Sequence, residues 1–182
     1  MMTREKVAHI LRAIAAVTGE ARLVLVGSAT VLLRAKNIPA AMLNTNEIDV
    51  FSPDAADEEM FVDLVSGSLG RASQFDRTFN YFGDGVTSKT ARMPSDWRDR
   101  TKIIDVPTLP NVEVMVPDLN DIALAKMSAW RDKDREWLKA GVRSKILDPN
   151  AMRGRLALLP PSEVPNGEIL RRMDTMAAFA ST

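Results

Sequence analysis

The chain has 182 residues, 46% of them apolar, with 24 basic and 24 acidic side chains, one histidine and no cysteine. A chain of this length buries about 70% of the surface its unfolded form exposes, so one domain can hold a core without disulfides or structural zinc. The missing cysteine excludes thiol catalysis, iron–sulfur clusters and cysteine–zinc sites, and a lone His9 excludes multi-histidine metal centres.

The zero net charge conceals a gradient. Residues 1–70 carry six basic and nine acidic groups, residues 71–130 eight of each, and residues 131–182 ten basic and seven acidic. The opening MMTREKVAHIL spreads its charges through a helical pattern, and no apolar run approaches the roughly 18 residues of a membrane span. A cytoplasmic protein is expected, with no membrane partner.

Val7, Ile10, Leu11, Ile14 and Val17 recur at helical spacing between Thr3, a natural N-cap, and Gly19, a natural stop. His9 falls on the opposite side and is expected to face solvent. Leu23 to Val26 form an unbroken apolar run suited to a strand covered on both faces, ending at Gly27-Ser28, with a helix predicted over 29–36. A second strand spans 47–51, where Ile48 and Val50 point one way and Glu47, Asp49 and Phe51 the other. Pro53 and Asp54 lead into a helix with Met60, Phe61, Leu64 and Val65 at helical spacing, ended by Gly67 and Gly70.

Gly83-Asp84-Gly85 between 79–82 and 86–90 predicts a hairpin turn, and further strands are expected at 102–106 and 112–116. Asp118 with Asp121 starts a helix that breaks near 131–134, and another reaches about Ile146. A short one begins at Asp148-Pro149, and Pro160-Pro161 interrupts the path to the last. The order predicts an α+β fold, a small mixed β-sheet with helices packed on it followed by C-terminal helices. It divides into a core over residues 1–117 and a helical region over 118–182 packed on that core.

Three features carry chemistry. Gly27-Ser28 joins a buried strand to a helix, where close backbone approach and outward amides suit a phosphate; an ordinary turn with Ser28 as N-cap reads the same. Glu47 and Asp49, two residues apart on one strand face, suit a hard cation such as magnesium; so does the acidic outer face of a half-exposed strand suit them. Lys126 is the only charge between Asp121 and Arg131, and it lies on the stripe shared with Leu119 and Ile122. It must reach an anion or snorkel to water. The mixed run from Arg131 to Glu136 suits a solvated helix face with i,i+4 pairs.

Taken in order, Gly27-Ser28 followed by Glu47-Ile-Asp49-Val resembles the signature of the polymerase-beta-like nucleotidyltransferase superfamily, Gly-Ser and then a hydrophobic-flanked acidic pair. Residues 26–138 look like an uncharacterised bacterial nucleotidyltransferase-like branch, related in pattern to the toxin enzymes of abortive-infection toxin–antitoxin systems. The stretches that carry the likeness are Asn46 to Pro53, Phe79 to Val86, Ala91 to Arg100 and Asp118 to Asp134.

The resemblance implies a nucleotidyltransferase-type sheet and transfer of a nucleoside monophosphate from an NTP to a hydroxyl of RNA or protein. Gly27 and Ser28 would hold the triphosphate, Glu47 and Asp49 would bind Mg2+ or Mn2+, and Lys126 would contact phosphate. Asp134 would be the acidic residue of the later Lys-Asp motif, with Arg131 and Lys133 adding positive charge. Asp105, in Ile103-Ile-Asp105-Val106, is the candidate third carboxylate, or else a polar residue leading into the Pro107 turn. Glu47 stands where the pattern has aspartate, which lengthens the arm by one carbon. A cognate antitoxin or other partner protein belongs to the same expectation, as does the alternative of a catalytically degenerate module that only binds nucleotide or partner. Arg143, Lys145, Arg153 and Arg155 offer a basic surface to RNA or simply a solvated helical face.

Overall fold

Helix α1 (Arg4–Thr18) starts where the Thr3 hydroxyl accepts a hydrogen bond from the Lys6 amide at 3.3 Å, and ends on Gly19 at φ +74°. Both ends are those the sequence predicts. The computed structural model describes residues 1–180, so the last two residues of the expected C-terminal helical region lie outside it. Val7, Ile10, Leu11 and Ile14 are fully buried, each worth about 1.5–3 kcal/mol on removal from water. Val17, on the same predicted stripe, is 36% exposed because it lies at the last turn.

Strand β1 (Arg22–Val26) is followed by a single 3-10 turn and the four-residue helix α2 (Val31–Arg34), shorter than the 29–36 expected. Strand β2 (Glu47–Phe51) precedes helix α3 (Glu58–Leu69), which Asp57 caps. Phe61 and Val65 are buried on α3, whereas Met60 and Leu64 point outward. Helix α4 (Gln74–Phe79) follows.

The expected hairpin does not form. Gly83-Asp84-Gly85 lies inside strand β3 (Phe82–Gly85), which pairs parallel to β2 with Glu47 opposite Phe82 and Asp49 opposite Asp84. The glycines are there for close approach. A Cβ on Gly83 would meet Ile10 and Ile14 of α1 at 3.2 Å, and one on Gly85 would lie 2.8 Å from the Val62 Cα of α3. The local pattern of a turn is thus the signature of two helices pressed onto an edge strand.

Strands β4 (Lys102–Ile104) and β5 (Glu113–Val116) complete one sheet in the order β3-β2-β1-β5-β4. The β1–β5 and β2–β3 pairs are parallel; β1–β2 and β4–β5 are antiparallel. Helices α5 (Leu119–Ala129), α6 (Asp132–Arg143), α7 (Pro149–Arg155) and α8 (Asn166–Ala180) follow.

Alternation along the strands assigns each face a separate core. Leu23, Leu25, Ile48, Val50 and Val114 pack under α1 and α3. Val24, Val26 and Phe51 pack under α5 to α8 with Trp97, Trp137 and Leu138. The second face therefore shares its hydrophobic core with the C-terminal helices. Among the described residues no helix is long and apolar enough to cross a membrane.

His9 is half-buried rather than solvent-facing. Its Nδ1 lies 2.6 Å from the Tyr81 hydroxyl, and its ring meets Phe79 edge-on with centroids 4.7 Å apart. Those partners come from the end of α4 and the residue just before β3, more than 60 residues away, which no local pattern announces.

Candidate active site

The C-terminal end of β1 and the middle of β2 set the geometry. Val26 is the register partner of Asp49, so Gly27 is the first residue beyond the strand on the flank of the acidic pair. Gly27 has φ +72°, and a Cβ there would lie 1.9 Å from Asp49 Oδ2. Glycine is required twice, by the backbone conformation and by the carboxylate it faces. Ser28 does not cap a helix. Its hydroxyl instead accepts a hydrogen bond from Lys126 Nζ at 2.8 Å.

Lys126 does not snorkel to water. It is 5% exposed, and besides Ser28 it donates to Asp134 Oδ1 at 3.0 Å, with its ammonium 5.0 Å from the centre of the Trp137 ring. Burial pushes the Lys126 pKa below its ordinary value against the opposing pull of Asp134. Asp134 is fully buried. Burial acts to raise its pKa, but the Arg131 guanidinium at 2.7 Å and Lys126 outweigh it and hold the carboxyl below the usual range. Asp134 also accepts from the Arg131 amide and so caps α6. The charge run from Arg131 is therefore not merely a solvated face, since its Asp134 is turned inward onto Lys126.

Lys133 forms an ion pair with Glu47, and Arg131 reaches the rim of the same cavity. That cavity, about 210 Å³, is lined by Gly27, Glu47, Asp49, Asp84, Lys126 and Arg131 among others. It is smaller than the ~300–1,000 Å³ that engulfs a drug-sized ligand, so it suits a polyphosphate better than a whole nucleotide.

Asp49 is half-buried in the wall of the cavity. It accepts no side-chain hydrogen bond among the described residues, and its pKa is raised to about 7 by burial, then by Glu47 and by Asp84. Lys126 and Lys133 pull the other way without cancelling the effect. A half-buried carboxylate that accepts no side-chain hydrogen bond and stands beside two like charges is the arrangement a cation would relieve. Among the described residues no group of three or more histidine, cysteine or carboxylate side chains is gathered as a complete metal site. Two carboxylates fit a magnesium-type ion that keeps water and takes its remaining oxygens from phosphate.

Asp84 is the functional candidate that sequence reasoning missed. It sits beside Asp49 in the sheet, lines the same cavity and accepts from the Ser66 hydroxyl at 3.0 Å. Asp105 is not brought to this site. It follows β4, three strands from β2, about 14 Å across the sheet at a ~4.8 Å strand spacing. It lines a different cavity with His9 and Arg12.

Residues 5–160 match the family described as a nucleotidyltransferase of unknown function (DUF6036). The chain belongs to that family. No curated protein and no solved structure matches it significantly. The mixed sheet with its C-terminal helices is consistent with the nucleotidyltransferase fold, and the family match spans every residue of the Gly27, Asp49 and Lys126 constellation. Within this nucleotidyltransferase family chain the basic C-terminal residues are partly consumed. Arg155 pairs with Asp118 and Asp121, and Arg153 with Asp174.

Proposed function

We propose that this chain is a metal-dependent nucleotidyltransferase that moves a nucleoside monophosphate from an NTP to a hydroxyl of RNA or protein. The observation that carries this reading is the convergence of three distant segments, Gly27-Ser28, Glu47/Asp49 and Lys126, on one cavity whose central carboxylate, Asp49, accepts no side-chain hydrogen bond among the described residues. Family membership supports it.

In this reading Ser28 and Lys126 bind phosphate oxygens, and the Gly27 backbone allows the triphosphate to approach Asp49. Glu47 and Asp49 would hold Mg2+ or Mn2+, which when bound neutralises phosphate charge and favours deprotonation of the acceptor. Arg131 adds a guanidinium fork at the rim. The acceptor oxygen forms a bond to the α-phosphorus, the bond from that phosphorus to the β-bridging oxygen breaks, and pyrophosphate leaves. Asp84 takes the hydroxyl proton. Asp134 touches no substrate; buried on Lys126 and Arg131, it positions both. The setting we propose, a toxin–antitoxin or phage-defence component with a cognate partner protein, rests on the sequence resemblance; its place in the cytoplasm rests on the charge pattern and the lack of a span-length apolar run.

One observation favours a second reading. Lys133 already occupies the Glu47 carboxylate, as in a site that binds a nucleotide without turning it over. Purified protein incubated with labelled NTPs, Mg2+ or Mn2+, and host RNA or lysate separates the two. Label transfer abolished by Asp49→Ala is expected; NTP binding without transfer to any acceptor would establish the binding module instead.

A further inference from the structure

A second cavity, about 360 Å³, opens on the other side of Glu47. Its walls are the loop before β2 (Asn44 to Asn46), the segment from Arg71 to Asn80, Phe82 at the start of β3, and Lys133 of α6. Glu47 lines both cavities. The strand order fixes their relation. Gly27 and Ser28 leave β1 on one flank of β2, whereas Phe82 begins β3 on the opposite flank, as the register partner of Glu47. A phosphate held at Gly27-Ser28 sits at the β1 side of the first cavity, and the second cavity lies across β2 from it, so an acceptor seated there would approach from the side opposite β1.

The lining of this second cavity differs from the first. The side-chain amides of Asn44, Asn46 and Asn80 make no hydrogen bond to the rest of the described chain, so their donors and acceptors are available together. Arg71 forms no ion pair among the described residues; its guanidinium lies over the Phe82 ring, 4.8 Å from the centroid, and Phe82 is 5% exposed beneath it. Arg71 is itself exposed, so the face of its guanidinium away from Phe82 is open. Of the two acidic residues in the wall, Glu47 is paired with Lys133 and Asp76 accepts from the Ala72 amide at 2.9 Å.

A guanidinium lying over an aromatic ring, with its other face open and several amides beside it, is the equipment that stacks a nucleobase and reads its polar edge. A peptide acceptor would instead want apolar anchor pockets, and the one ring in this cavity is covered. On the reading that the Glu47 cavity is a nucleotidyltransferase site, we infer that the second cavity seats the terminal nucleotide of an RNA strand. The base stacks on Arg71 against the asparagine amides, and the terminal ribose hydroxyl is directed past Glu47 to the α-phosphorus. Its oxygen becomes bonded to that phosphorus, its proton passes to Asp84, two residues beyond Phe82 on the same face of β3, and pyrophosphate is released.

The test measures RNA and NTP separately. A fluorescein-labelled single-stranded RNA 12-mer with a free 3′-hydroxyl is titrated against the full chain by anisotropy, and NTP binding is followed by thermal shift with Mg2+. Arg71→Ala is expected to weaken RNA binding by ~10- to 100-fold, as loss of a stacked base does. Arg71→Lys, which keeps the charge and loses the plane, should recover little of it. Asn46→Ala and Asn80→Ala together should weaken RNA further, and the NTP-induced shift should be unchanged in all of them. RNA affinity indifferent to Arg71→Ala, no RNA binding by the unmodified chain, or label carried by protein acceptors alone and undiminished in Arg71→Ala would each overturn the inference. NTP binding and transfer that persist in those cases leave the enzyme reading standing; Arg71-dependent RNA binding without any NTP shift would sink the enzyme reading and leave the RNA cavity in place.

Discussion

Gly27 and Asp49 are complementary across β1 and β2: the carboxylate occupies the space that a side chain at position 27 would fill, 1.9 Å from where its Cβ would stand. Backbone and carboxylate are thus fixed together, with φ +72° at one residue and the acidic group at the other. Gly27→Ala must either displace Asp49 or bend the end of β1. A stability loss of about 1–3 kcal/mol is expected from the left-handed backbone and the clash. Nucleotide transfer should fall further than stability does, by ~100-fold, because a displacement of about 1 Å at a reacting centre has that effect. Denaturant unfolding and label transfer on the same variant check the two separately.

Lys126 links phosphate chemistry to folding. Its removal strands Asp134, fully buried, with Arg131 as its remaining cation. Breaking a buried pair typically costs about 3–5 kcal/mol, and the surviving Arg131 contact should reduce that to ~2–3 kcal/mol for Lys126→Met. Asp134→Asn in the Lys126→Met background should restore part of the lost stability, since the uncompensated charge is then gone. A double-mutant cycle by chemical denaturation measures this. Ser28→Ala removes one hydrogen-bond acceptor at the surface of the cavity and should cost about 1 kcal/mol or less.

Asp84 and Asp105 make opposed predictions. Asp84 lies beside Asp49 and lines its cavity, whereas Asp105 sits beyond the far edge strand. Asp84→Asn is expected to reduce transfer by ~10²–10⁴-fold, the range for a positioned acid–base group, while Asp105→Asn leaves it within about twofold. Equal effects of the two substitutions would remove Asp84 from the mechanism.

The contrast between those two residues also shows what a sequence can and cannot disclose. Lys126 was legible as a candidate because a lone cation on an apolar helical stripe has to meet an anion or snorkel to water, and Glu47 with Asp49 because period-two spacing places both on one strand face. Asp84 was not. Its flanking glycines carry the local pattern of a turn, and only the packing of Ile10, Ile14 and Val62 against β3 reveals why they are glycine. Asp105 looked equivalent because strand order, which puts β4 at the opposite edge from β3, is set by pairing between distant segments. The Lys133–Glu47 pair and the Asp134 burial likewise join residues that only the fold brings into contact. The α+β class and most helix ends were readable because caps and apolar periodicity are local.

The Asp49 carboxyl yields a pH dependence with a definite sign. Its pKa is raised to about 7, by burial first and then by Glu47 and Asp84, so between about pH 4 and 7 the folded chain keeps a proton that the unfolded chain has released. This residue's contribution to stability therefore falls as pH rises through that window, and above about 7 the cost of the buried charge is fully present. The full linkage value of about 4 kcal/mol is an upper limit, since Asp49 borders a water-accessible cavity; about 1–3 kcal/mol is expected after screening. Asp49→Asn should then raise the Tm at pH 8 by about 2–10 °C, have little effect below pH 4, and flatten the profile between. Mg2+ should produce the same selectivity without mutation. It competes with a proton for Asp49, so at a fixed concentration it should raise the Tm of the unmodified chain more at pH 8 than at pH 6, and should do much less to Asp49→Asn. Thermal unfolding across pH 4–8, with and without Mg2+, measures both. A Tm that climbs steadily from pH 4 to 7 in the unmodified chain and identically in Asp49→Asn would show that the carboxylate is not held against its charge.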